Sequence, residues 1–105
     1  MDSKYEVKIE GEKGIIIVTS DLDNEQAGEA LKNTFEELLK QGLKTIVLDL
    51  RGVEIINSYG VGKIITCYKL LKQAGGQVMV KPLSGFVKET FDLLMLNSLF
   101  PVDES

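Results

Sequence analysis

The stretch Thr45 to Gly62, TIVLDLRGVEIINSYGVG, narrows the choice of fold more than any other part of this chain. Thr45, Ile46, Val47, Leu48 and Leu50 form an apolar, β-branched run too short for a typical helix. Its continuous character predicts a strand near the sheet centre, covered on both faces. Ile55 and Ile56 then lead into Asn57-Ser58, residue types that satisfy the open N–H groups of a helix start, and Gly60 and Gly62 leave the following backbone bare. A serine hydroxyl is thereby presented at the positive end of a helix.

A covered strand needs neighbours, and the rest of the chain supplies them. Tyr5, Val7 and Ile9 alternate with charged residues, Gly11-Glu12-Lys13-Gly14 supplies a turn, and Ile15 to Thr19 reads as a second strand, so the chain opens with a hairpin of one edge and one inner strand. After the turn-forming run Ser20 to Asn24, a helix carries Ala27, Leu31, Phe35 and Leu38 on one stripe and ends at Gln41-Gly42. The helix opening near Ser58 carries Val61, Ile64, Ile65, Tyr68 and Leu71 and stops at Ala74-Gly75-Gly76. Gln77 to Lys81 is the next strand. Ser84 is placed to cap a third helix with Phe86, Val87, Thr90, Phe91 and Leu94 as its stripe, and Leu99-Phe100 predicts a last short strand. The expected fold is α/β: a mixed sheet with an N-terminal hairpin, then alternating β and α, the helices packed mainly on one side.

Composition removes whole classes of function. With 105 residues, 44% of them hydrophobic and 27% charged, the chain is expected to form one domain over residues 1–105. No apolar run approaches the roughly 20 residues of a membrane span, and the N-terminus lacks the cationic start and apolar centre of a secretion signal, so a cytoplasmic protein with no membrane partner is expected. The single cysteine, Cys67, fits a reducing compartment and reads as a packed small hydrophobe. A net charge of −4 argues against direct nucleic-acid binding. With no histidine, Ser-His-Asp and Cys-His catalysis is excluded, and no catalytic, metal or cofactor site emerges.

Asp21-Leu22-Asp23 after the second strand, the run from Asp49 through Val53 to Asn57-Ser58-Tyr59-Gly60, and Leu70 to Gly76 together resemble a STAS domain of the anti-sigma factor antagonist type, over nearly the whole chain. The resemblance implies that Ser58 is a phosphoacceptor. It also implies a non-enzymatic partner switch: the unmodified domain binds an anti-sigma factor that is itself a serine kinase, frees a sigma factor, and lets go once phosphorylated. Asp21, Asp23, Asn24, Asn57, Ser58, Tyr59, Gly60, Gly62 and Lys63 are the expected partner-binding residues, with Thr66 beside them. Two departures stand out. Asn57 occupies a position where aspartate is common, and Tyr59 one where small residues are usual. A STAS module that senses a ligand or nucleotide is the alternative.

Each residue also has a plainer reading. A serine at a helix start is by default its cap, and only the resemblance favours a functional role for Ser58. Asp21 and Asp49 read as turn and cap residues, whereas Asp23 is expected close to Ser58. Gly60-Val61-Gly62 lacks the spacing and lysine of a phosphate-binding loop. Lys63 does not share a helix face with Ser58, which argues against a small enzyme using it as base.

Overall fold

The computed structural model describes residues 5–104. The chain runs β1 (Glu6–Glu10), β2 (Lys13–Ile17), α1 (Glu25–Lys40), β3 (Thr45–Asp49), α2 (Ser58–Gln73), β4 (Gln77–Val80) and α3 (Gly85–Leu93), followed by a 3-10 turn, Leu96–Ser98. The four strands form one sheet in the order β1-β2-β3-β4. β1 and β2 are antiparallel, while β2, β3 and β4 are parallel, so β3 is an inner strand as its apolar run predicts. This is the α/β arrangement expected of the sequence.

The hairpin turn is tighter than the glycines suggest. Glu10 pairs directly with Lys13, so only Gly11 and Glu12 form the loop, and Gly11 takes the positive φ, 64°, that a two-residue connection requires at its first position. Gly14 belongs to β2 instead, where an added Cβ would lie 3.0 Å from a Leu38 methyl and 3.1 Å from one of Leu43. The strand starts two residues earlier than the apolar run because Lys13 and Gly14 already pair with Glu10 and Ile9 of β1 and with Thr45 and Ile46 of β3, and the bare backbone of Gly14 admits Leu38 and Leu43 this close.

Pleating sorts the strand residues onto two faces. Ile16, Val18, Ile46, Leu48, Val78 and Val80 join Ala27, Leu31, Phe35 and Leu38 of α1, Val61, Ile64, Cys67 and Leu71 of α2, and Val87 and Phe91 of α3 in one buried cluster. Ile15 and Val47 are equally buried but lie outside it, on the opposite face. There the cover differs from expectation. Instead of a helix, long charged side chains surround the apolar strip: Lys8, Glu10, Asp49, Arg51 and Lys81 line a cleft of about 110 Å³ with Ile15 and Ile17. Asp103, itself buried, pairs with Lys13 at 3.0 Å and Lys81 at 3.6 Å.

Two expectations near the C-terminus need correction. Of the stripe assigned to α3, only Val87 and Phe91 are buried; Phe86 and Leu94 are half exposed, and Ser84 sits at the cap position without a side-chain hydrogen bond. Leu99-Phe100 is not a strand. Phe100 turns into the core, stacking edge-on to Tyr68 at 5.4 Å, and the sheet-like contact falls two residues later, between Val102 and Val80. Met95, with a positive φ of 59°, separates α3 from the 3-10 turn that precedes this segment.

Candidate functional site

Because β2 and β3 are adjacent and parallel, the segments leaving their C-terminal ends emerge side by side, the usual place for a site on an open α/β sheet. Leu22 and Ile56 pair there as an isolated bridge. Leu22 N–H donates to the Ile55 carbonyl at 2.9 Å, and Asn57 N–H donates to the Leu22 carbonyl at 3.3 Å. Asp21 reinforces the seam: one carboxylate oxygen accepts from the backbone N–H groups of Glu54, 2.9 Å, and Ile55, 3.0 Å. Asp21 is therefore a turn-holding residue, and Asn24, whose side chain accepts from Ala27 N–H at 3.0 Å, is the cap of α1.

The cap of α2 is Asn57. Its Oδ1 accepts from Tyr59 N–H at 3.0 Å and Gly60 N–H at 3.2 Å, while its Nδ2 donates to the Asp23 carbonyl at 3.1 Å. Ser58 is one residue inside the helix, exposed, and its hydroxyl has no hydrogen-bond partner among the described residues. The default reading of Ser58 as a cap is thus removed by the geometry. Asp23 is linked to this turn through its backbone, and its carboxylate is taken by the Asn24 side-chain amide at 2.9 Å.

The two glycines of this turn do different work. At Gly60 a Cβ would lie 2.1 Å from the Leu22 carbonyl oxygen, so α2 approaches the first loop backbone to backbone. Gly62 faces open space, four residues beyond Ser58 on the exposed side of α2, with Thr66 another turn along and hydrogen-bonded back to the Gly62 carbonyl at 2.9 Å. Ser58, Gly62 and Thr66 form a low, neutral ridge. Ile55, 46% exposed, adds an apolar group on the connection that leads into it.

Tyr59 and Lys63 turn toward α1. The Tyr59 ring lies over Gly28, where a Cβ would come within 2.7 Å of it, and Lys63 Nζ sits 5.8 Å from the ring centroid while pairing with Glu29 at 2.5 Å. The hydrogen bond from Lys63 holds the Glu29 carboxyl below its ordinary range and raises the Lys63 ammonium in turn. A protonated, engaged lysine is no base for Ser58. Gly28 and Glu29 were not legible as site residues; a glycine inside an otherwise apolar-striped helix was the one available sign of a close neighbour.

Asp49 does not join this site. It lies on the opposite sheet face, where Arg51 binds it through Nε at 2.9 Å and a terminal nitrogen at 2.7 Å. Those bonds hold its carboxyl below the ordinary range against the effect of burial. Cys67 is buried, and burial pushes its thiol up to about 12, so it packs as a small hydrophobe. Among the described residues, no helix is long and apolar enough to cross a membrane.

The sequence profile of the STAS domain matches residues 4–105. An anti-sigma F factor antagonist from Paenibacillus polymyxa is 26% identical over 99 residues, covering 92% of this chain and 85% of that protein. In three dimensions the fold is similar to a putative anti-sigma factor antagonist from Thermotoga maritima, with a TM-score of 0.85 at 24% identity, covering 96% of this chain and 86% of that one. It also matches the Bacillus cell fate determinant SpoIIAA in its phosphorylated form, with a TM-score of 0.73 at 18% identity and coverage of 96% and 92%.

Proposed function

This chain belongs to the STAS domain family, among the anti-sigma factor antagonists, and from that premise we propose that it is a non-enzymatic partner switch acting through Ser58. Unmodified, it binds an anti-sigma factor of the serine-kinase type and so frees a sigma factor; phosphorylated on Ser58, it releases that partner. The observation that carries this reading is the division of labour at the α2 start. Asn57 closes the helix, which leaves the Ser58 hydroxyl exposed and without a hydrogen-bond partner among the described residues, beside the bare backbone of Gly62.

The chemistry divides between the two proteins. The Ser58 oxygen attacks the terminal phosphorus of the partner's nucleoside triphosphate, the bond to the diphosphate breaks, and the serine proton passes to a base on the partner. This chain supplies position, since Lys63 is engaged with Glu29. The contact surface is the Asp21–Asn24 loop, Ile55, and the ridge of Ser58, Gly62 and Thr66. The ridge in this surface suits a close-fitting neutral contact that a dianion on Ser58 would spoil.

The unmodified protein used as bait in extract of its own cells, with mass spectrometry of both partners and bait, tests this directly. A kinase-like anti-sigma protein retained by the unmodified protein, with phosphate appearing on Ser58 when ATP is added, is the expected result. Retention of a small molecule without such a protein, or phosphate only at other residues, overturns it.

A further inference from the structure

Asn57 is bonded at both ends of its side chain, and only an amide can do this. Its Oδ1 must be the oxygen, because it receives two backbone N–H groups, at 3.0 and 3.2 Å; that places the NH2 group against the Asp23 carbonyl, 3.1 Å away. An aspartate here makes the same cap but has no donor, and turns an anionic oxygen toward a carbonyl lone pair. We propose that Asn57 is a positioning residue that locks the Asp21–Asn24 loop to the phosphoacceptor turn, and that this neutral two-ended bridge, in place of a carboxylate, sets the shape of surface the partner reads.

The remaining contacts of the loop support the assignment. Asp21 anchors its beginning to Glu54 and Ile55, and the Leu22 to Ile56 bridge anchors its middle. Asn24 faces the other way, toward α1. The Asp23 carbonyl is the last tie before α1 begins, and the Asn57 amide makes it. The binding part of this inference rests on the partner switch proposed above; the bridge itself does not.

Hydrogen exchange on the isolated protein therefore comes first, with Asn57→Asp and Asn57→Ser compared with the parent. In Asn57→Asp, the Tyr59 and Gly60 amides should keep their protection, while Leu22 and Ala27, whose donors hold the loop, should lose several-fold. Asn57→Ser, which caps without charge and falls short of Asp23, should loosen the loop in the same way; a parent-like loop in Asn57→Ser would assign the effect to charge and overturn the bridge. So would unchanged Leu22 and Ala27 protection in Asn57→Asp. With the kinase partner in hand, both variants should raise KM for Ser58 phosphorylation up to about tenfold, the worth of one neutral hydrogen bond, with kcat near the parent value. A loosened loop with KM unchanged would retain the bridge and overturn its role in recognition.

Discussion

Asn57 and Ser58 are neighbouring small polar residues, and either one can close the first turn of a helix; what decides between them is backbone shape. Asn57 is extended, with φ −127° and ψ −172°, whereas Ser58 is already helical. Removing the asparagine side chain should cost about 0.5–2 kcal/mol, and Ser58→Ala should change stability by no more than about 0.5 kcal/mol. Urea denaturation of the two alanine variants separates them; an equal loss from both would return Ser58 to a structural role. Two residues further on, identical substitutions should act oppositely. Gly60→Ala drives a methyl against the Leu22 carbonyl and should cost about 1–3 kcal/mol. Gly62→Ala meets open space and should stabilise α2 by up to about 1 kcal/mol, while the added methyl, standing on the surface proposed to meet the partner, should weaken binding. Thermal melts and partner titration of both variants check this pair.

At the scale of elements, periodicity was legible where one face is buried and misleading where apolar residues stay outside. The four stripe residues of α1 are all in the core, and Leu31→Ala or Ile64→Ala should cost about 2–5 kcal/mol in a denaturant melt. In α3 the same rule placed Phe86 and Leu94 with Phe91, yet Phe86 is 51% and Leu94 50% exposed while Phe91 is fully buried. Phe91→Ala should therefore cost several times what Phe86→Ala does. The N-terminal hairpin, the inner position of β3 and the helix starts near Asn24, Ser58 and Ser84 followed from local pattern. The bonds from Asp21 to Glu54 and Ile55, and Lys63 with Glu29, join residues more than thirty positions apart, and no local pattern reports them. The exit of β3 offers a pH test. Arg51 lowers the Asp49 carboxyl in the folded state, so the pair adds stability above the ordinary aspartate range, about pH 4, and loses it as pH falls through the folded value. Arg51→Ala should thus lower the urea midpoint more at pH 7 than near pH 3. An equal shift at both would show that another group titrates.

For the molecule as a whole, the question is where the charge of a phosphate on Ser58 goes. The unmodified protein carries −4, and phosphorylation adds about −1.5 to −2 more. A helix N-terminus ordinarily welcomes such a charge with free N–H groups. Here the N–H groups of Tyr59 and Gly60 are already taken by Asn57, α2 has no basic residue in its first turn, and Lys63 is engaged with Glu29. The phosphate is left facing outward, favoured by the helix dipole, with no basic residue in the first turn of α2 to meet it. The fold has no reason to change, because the core lies beneath α2 and Ser58 contributes nothing to it. Release must then arise at the interface, where a dianion replaces a hydroxyl against groups fitted to a neutral ridge; a hundredfold loss of affinity needs only about 2.7 kcal/mol, within reach of one desolvated charge without a partner. Phosphorylated protein, and Ser58→Asp as a weaker mimic, should keep the parent circular dichroism spectrum and bind the kinase partner at least about a hundredfold and about tenfold more weakly, respectively. Ser58→Ala should bind and never be released by ATP. Calorimetric titration of the three forms decides it: equal affinity of phosphorylated and unmodified protein would mean that the charge is accommodated by the partner, and that Ser58 is not the switch.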